Sequence, residues 1–163
     1  MPPTLRPAVE ADLPSINEIY NHYVRTSTCT YAYEPDTMQE REAWWREHGG
    51  AYPVIVLDRG ETVVGWGSLS KFRPREGYRF TCENSIYLHP DWCGQGHGGV
   101  ILAELVRLAG QHGFHSIIAG ICATQEPSIR LHARAGFVEV ARMLEVGFKF
   151  DRWLDVVYMQ RKL

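Results

Sequence analysis

The residues with the most chemical potential lie between positions 83 and 99. Glu83 sits inside a strand-like run from Phe80 to Leu88, with the apolar Phe80, Cys82, Ile86, Tyr87 and Leu88 around it. After it, Pro90 turns the chain, and Gly94, Gly96, Gly98 and Gly99 follow in close succession. Glycines let the main chain come near a ligand and aim successive N–H groups at one point. An apolar helical pattern, Val100, Ile101, Leu102, Leu105, Val106 and Leu108, begins at once, so the positive end of a helix falls at the same place. The combination predicts a site for a phosphorylated ligand. A glutamate on an apolar strand, once desolvated, has a raised pKa and suits general-base work. The competing reading of Glu83 is a solvated or salt-bridged strand residue.

Two familiar phosphate sites do not fit. Gly94-x-Gly96-x-x-Gly99 satisfies the dinucleotide fingerprint, but that site needs an acid about 20 residues on, at the end of the next strand. The next strand, Ile117 to Cys122, has no acid. A P-loop would need Gly-Lys-Ser/Thr, which is absent. Arg73, Arg75 and Tyr78 precede the Glu83 strand. Guanidinium groups grip carboxylate or phosphinate oxygens in bidentate fashion, although a solvated basic loop reads the same way. Cys93 lies by the glycines with no activating base nearby and reads as an inert spacer.

These residues need elements to hold them. Thr4 to Ala8 reads as a strand. Asp12 reads as the N-cap of a helix carrying Leu13, Ile16, Ile19, Tyr20, Tyr23 and Val24. Thr37 caps a second helix with Trp44 and Trp45. Tyr52 to Leu57 and Thr62 to Leu69 form a hairpin about Asp58-Arg59-Gly60. The Glu83 strand and the glycine loop feed a helix to about His112. A strand (Ser116 to Cys122), a helix (Pro127 to Ala135), and strands to about Val146 and from Trp153 to Gln160 complete the order β-α-α-β-β-β-α-β-α-β-β. This is an α/β chain with a mixed, mostly antiparallel sheet and helices on both faces. The strand–helix–strand unit from Phe80 to Cys122 implies one parallel pair. Splaying of that pair would leave a slot at the loop end.

The bulk properties narrow the partners. With 163 residues and 45% apolar content, one globular domain spanning 1–163 is expected. A net charge of −2 gives no reason to expect nucleic acid or an anionic membrane. No apolar run approaches the roughly 20 residues that span a bilayer, and no signal-peptide segment opens the sequence. Cys29, Cys82, Cys93 and Cys122 are scattered without ligand spacing, so free thiols in a reducing cytoplasm are expected and no metal.

Several blocks together resemble the GCN5-related N-acetyltransferases (GNAT). Gly96 and Gly98 occupy the glycines of their motif Gln/Arg-x-x-Gly-x-Gly/Ala, with Cys93 in the first position. Gln125 to Phe137 resembles their second signature, with Gln125 in place of the usual Asn. Thr26 to Pro35 and Gly147 to Gln160 are similar to the phosphinothricin and methionine sulfoximine acetyltransferase branch. The resemblance implies a GNAT fold and acetyl-CoA as co-substrate. Its diphosphate would be held by main-chain amides over Gly94, Gln95, Gly96, His97, Gly98 and Gly99, with Gln125 and Ser128 also contacting the cofactor. It implies Glu83 as base and His132 as acid, second base or cofactor contact. A strand N–H near Tyr87 or Leu88 would polarise the thioester carbonyl, while the Ile86 and Leu88 side chains pack the core. For His97 alone, a solvent-facing spacer is the stronger reading. It further implies an acceptor pocket from Tyr31, Glu34, Arg73, Arg75 and Tyr78, and a homodimer. The implied reaction is acetyl transfer to the α-amine of a small amino-acid-like acceptor. Polyamine, aminoglycoside or protein N-terminal acceptors, and a non-catalytic acyl-CoA sensor, are the alternatives.

Overall fold

Short turns decide most of the topology. In the computed structural model, which describes residues 1–163, Gly60 takes the left-handed φ of 74° that the tight hairpin between β2 (Val54–Arg59) and β3 (Thr62–Lys71) requires. β1 (Thr4–Pro7) pairs outside β2, and β3 pairs antiparallel with β4 (Thr81–Leu88). β5 (Ser116–Cys122) lies parallel to β4, and the hairpin of β6 (Val138–Lys149) and β7 (Arg152–Lys162) closes the sheet through β7. The strand order is β1-β2-β3-β4-β5-β7-β6. Four helices, α1 (Leu13–Thr26), α2 (Met38–Arg46), α3 (His97–Gln111) and α4 (Glu126–Arg134), complete the expected element order.

The helices cover both faces because each carries one apolar side. On one face, Leu13, Ile16 and Ile19 of α1 pack on Val54, Val56, Val63 and Trp66. On the other, Ile101, Leu102, Leu105 and Ala109 of α3 pack on Ile117, Ala119, Ile121, Val157 and Met159. Each fully buried Leu or Ile contributes about 1.5–3 kcal/mol. Thr37 does cap α2, in a reciprocal box with Glu40. Asp12 differs from expectation. A single 3-10 turn, Glu10–Asp12, precedes α1 and turns the Asp12 carboxylate backwards. It accepts from the Val9 N–H at 2.8 Å and receives Arg6 in a fork at 2.8 and 2.9 Å, leaving none of its oxygens for the helix. The Arg6 hydrogen bonds hold its pKa below the usual carboxylate range.

Two features of β4 set up the site. Its side chains alternate, and its register assigns the faces. Tyr87 stacks on Trp66 of the α1 face with ring centroids 4.9 Å apart, whereas Gly67, opposite Ile86, abuts Ile101 and Leu105 of α3. Glu83, Ser85 and Tyr87 therefore face α1 and α2, and Cys82, Asn84, Ile86 and Leu88 face α3 and α4. Secondly, β4 and β5 pair only over Thr81–Glu83 and Ser116–Ile118. Beyond Glu83 the two strands separate, so the expected slot is present.

Candidate active site

The gap between the strands opens into a cavity of about 780 Å³ that passes through the sheet. Its α3 side is built around the glycine loop. Gly94 and Gly96 adopt φ of 74° and 85°, which L side chains rarely take, and Gly96 is the N-cap of α3. Gly98 lies against α4, where an added Cβ would sit 3.2 Å from Leu131. The N–H groups of residues 94 to 98 have no acceptor within the chain; the first satisfied amide is that of Gly99, bonded to the Gly96 carbonyl at 3.1 Å. Free donors at a helix N-terminus, with Gly94, Gly96 and Gly98 lining the cavity, suit an anion such as a diphosphate. Gln95 and His97 do not line the cavity, and their side chains are engaged elsewhere. The Gln95 amide donates to the Asp91 carbonyl at 3.0 Å, and the His97 ring packs on Trp92.

The edge of β4 facing the gap carries more free main-chain groups. The His89 N–H bonds the Val64 carbonyl, so antiparallel alternation directs the N–H groups of Tyr87 and Ser85 at β3 and those of Ile86 and Leu88 into the gap. Of the two donors expected near this point, the one at Leu88 faces the cavity. The Leu88 carbonyl is taken by the Tyr23 hydroxyl at 2.5 Å.

Glu83 and His132 line the same cavity from opposite faces of the sheet. Glu83 is on the last rung of the β4–β5 ladder, across from Ile118. Burial raises its pKa, and the charge of Arg73 pulls part of the way back. Beneath it Gly120 has no side chain; Glu83 Oε1 and the Tyr158 ring stand 3.6 and 3.4 Å from where its Cβ would be. His132 is 3% exposed and packs edge-on to Phe137. Its Nδ1 donates to the Ser128 carbonyl at 2.8 Å, and a carbonyl only accepts, so Nδ1 carries the proton. Nε2 accepts from the Asn84 amide at 2.9 Å. Burial lowers its pKa, against the Ser128 hydrogen bond. His132 is thus a neutral imidazole with both nitrogens engaged.

The wall of the cavity on the α1 side comes from the loop after that helix. Thr28, Cys29, Thr30 and Tyr31 line the cavity with Tyr87, Cys122, Val156 and Tyr158. Gln125, at the N-cap of α4, reaches this loop and donates to Thr28 Oγ1 at 2.9 Å, while Ser128 lines the α4 side. Glu34, Arg73, Arg75 and Tyr78 lie outside the cavity wall and are exposed. Tyr78 and Arg73 both pack on Phe72, and Arg73 reaches the site only through its field on Glu83. All four cysteines are free, and no group of three His, Cys, Asp or Glu could hold a metal ion. Asn84, Gly120 and Tyr158 line the cavity, and Lys149 bonds the loop that forms its wall, without having been singled out from the sequence. Alternation alone places Asn84 beside Cys82 as a buried polar residue; nothing local marks the others.

Comparison with known proteins agrees with this architecture. The description "Acetyltransferase (GNAT) family" matches residues 16–137. The L-methionine sulfoximine/L-methionine sulfone acetyltransferase of Salmonella typhimurium is 40% identical over 162 residues, covering 98% of this chain and 94% of the relative. The Escherichia coli L-amino acid N-acyltransferase MnaT is 38% identical, with coverage of 98% and 94%. The phosphinothricin acetyltransferase of Sinorhizobium meliloti, solved in complex with acetyl-CoA, superposes with a TM-score of 0.96 at 42% identity, covering 100% of this chain and 89% of that one. The fold is thus shared with proteins alike over nearly their whole length, and this chain belongs to the GNAT acetyltransferase family.

Proposed function

We propose that the protein is an acetyl-CoA-dependent N-acetyltransferase acting on the α-amine of a small amino-acid-like acceptor of the methionine sulfone, methionine sulfoximine or phosphinothricin kind. One observation carries this reading. A desolvated carboxylate, Glu83, stands where the sheet divides, in a cavity whose other end is the glycine loop with its unbonded amides. The names of the relatives support the acceptor class. The residues from 1 to 163 act as one catalytic domain.

Acetyl-CoA supplies an activated acyl group as a thioester. The amides of residues 94 to 98 hold its diphosphate, with the α3 N-terminus adding to the attraction. The Leu88 N–H, aimed into the gap, stabilises negative charge developing on the thioester oxygen. Glu83 removes the proton that an α-ammonium must lose before its nitrogen forms the new C–N bond. An α-amine titrates near roughly 8, so a carboxylate with a raised pKa is a sufficient base. The C–S bond then breaks and the sulfur leaves as thiolate, which takes up the second proton that the newly bonded nitrogen must lose to become an amide. The charge of Arg73 favours the ionised form of Glu83, and Arg75 and Glu34 of the surrounding loops screen acceptors by charge while Tyr78 offers a hydroxyl for hydrogen bonding.

The cellular setting is part of the proposal. Free thiols suit a reducing cytoplasm, and no helix is long and apolar enough to cross a membrane. The edge strand β6 leaves Val138, Val140, Leu144, Val146 and Phe148 exposed, a face suited to a second copy of the chain.

A thiol-release assay with acetyl-CoA and a panel of amino acids tests the reading. Turnover is expected with methionine sulfone, methionine sulfoximine or phosphinothricin. Glu83→Gln should lower kcat by about 10²–10⁴-fold with acetyl-CoA affinity unchanged. Wild-type protein that releases thiol with none of these acceptors would refute the assignment.

A further inference from the structure

The hairpin of β6 and β7 is remote from the glycine loop, yet it touches the α1-side wall of the cavity at three successive residues. Gly147 lies flat against Tyr31: an added Cβ would fall 2.3 Å from the ring. The Phe148 carbonyl accepts the Tyr33 hydroxyl. Lys149 turns inward, is 3% exposed, and has no carboxylate within ion-pair distance. Its ammonium instead donates to the Ser27 carbonyl at 2.7 Å and the Thr30 carbonyl at 2.8 Å. Ser27 is the C-cap of α1, so the lysine also meets the negative end of that helix. A register shift in β6 between Met143 and Gly147, with Glu145 at φ 49° and its N–H held by the Asp155 carboxylate at 2.8 Å, accompanies the approach of these residues to the loop.

A buried ammonium without a counter-ion is costly unless its donors are satisfied. A residue serving only the hairpin would not need one. Here both of its hydrogen bonds go to the loop that carries Thr28, Cys29, Thr30 and Tyr31 into the cavity. We propose that Lys149 and Gly147 are positioning residues that set, from behind, where Tyr31 stands and so how long an acceptor side chain the cavity admits. Lys149 fixes the loop's main chain. Gly147 lets the Tyr31 ring sit back by the width of one methyl group. The inference rests on the proposed acetyltransfer to amino-acid acceptors.

Gly147 is not in the left-handed region, so alanine there adds bulk without backbone strain. Gly147→Ala should push the ring into the cavity. The expected result is a drop of about tenfold in kcat/KM for methionine sulfone relative to alanine as acceptor, with the KM for acetyl-CoA unchanged. Lys149→Met should raise acceptor KM by a similar factor without moving the acid limb of the pH profile, and Lys149→Arg, which keeps donors, should restore part of it. In a Tyr31→Ala background, Gly147→Ala should have no further effect, because its target ring is gone. Equal losses for long and short acceptors, a parallel rise in the acetyl-CoA KM, or a Gly147→Ala effect that persists without Tyr31 would each overturn the proposal. If Lys149→Met does not fold, the Gly147→Ala and Tyr31→Ala cycle decides alone. Active wild type with indifferent variants sinks this inference only; wild type inactive on every acceptor sinks the acetyltransferase reading and this inference with it.

Discussion

A carboxylate kept partly dry is useful to chemistry and costly to folding, and Glu83 shows both. Its folded pKa is raised, so the folded protein binds a proton over a pH range where the unfolded chain has released it. By linkage, stability falls as pH rises through that range, above the ordinary carboxylate value near roughly 4.3. Glu83→Gln should therefore raise Tm at neutral pH while removing activity, by roughly 2–4 °C for each kcal/mol recovered in a chain of this size. The gain should vanish in a thermal scan near pH 4, where Glu83 is itself protonated. Arg73 pulls in the other direction. Arg73→Ala should move the acid limb of kcat/KM to higher pH, because its charge favours the ionised base; an unmoved limb in a pH–rate profile would detach Arg73 from Glu83. His132 is read differently once its partners are known. Its place in the chain was visible, but not that Asn84 and Ser128 occupy both ring nitrogens. Glu83 and Asn84 are neighbours in sequence and lie on opposite sides of a pleated strand, so Glu83 and the His132 that Asn84 holds never share a face.

At the scale of elements, the glycine loop is the most local and was the most legible. Consecutive glycines before an apolar helix admit few physical explanations, and the left-handed φ of Gly94 and Gly96 is the reason for two of them. Gly96→Ala should weaken acetyl-CoA binding about tenfold or more, as measured by calorimetry, since a side chain in that conformation costs about 1–2 kcal/mol and turns the free amides away from their common focus. The β2–β3 hairpin and the Thr37 cap were legible for the same reason: turn and cap chemistry is decided within about four residues. Contacts between distant segments were not. Lys149 stands among Gly147, Phe148 and Phe150, where local reading gives a lysine on a solvated hairpin. Only the register shift in β6 and the return of the Ser27–Tyr31 loop bury it. Asp12 failed as a cap for the same kind of reason, because Arg6 claims its carboxylate across a short turn.

For the whole molecule, the division of the sheet matters most. The four strands β1 to β4 and the three strands β5, β7 and β6 are joined along the sheet by the short β4–β5 ladder alone, over Thr81–Glu83. The Gln125–Thr28 hydrogen bond and the Lys149 bonds to Ser27 and Thr30 are cross-ties over the opening. A thioester substrate lying in the gap would act as a rivet between two plates that share one short hinge. Its mechanical signature should reach further than its contacts. Amide exchange measured by mass spectrometry should slow on acetyl-CoA binding not only at residues 94 to 99 but in β5 and β7, which adjoin the open side. Slowing confined to the glycine loop would mean that the two plates were already locked, and that the ligand rests on the molecule without fastening it.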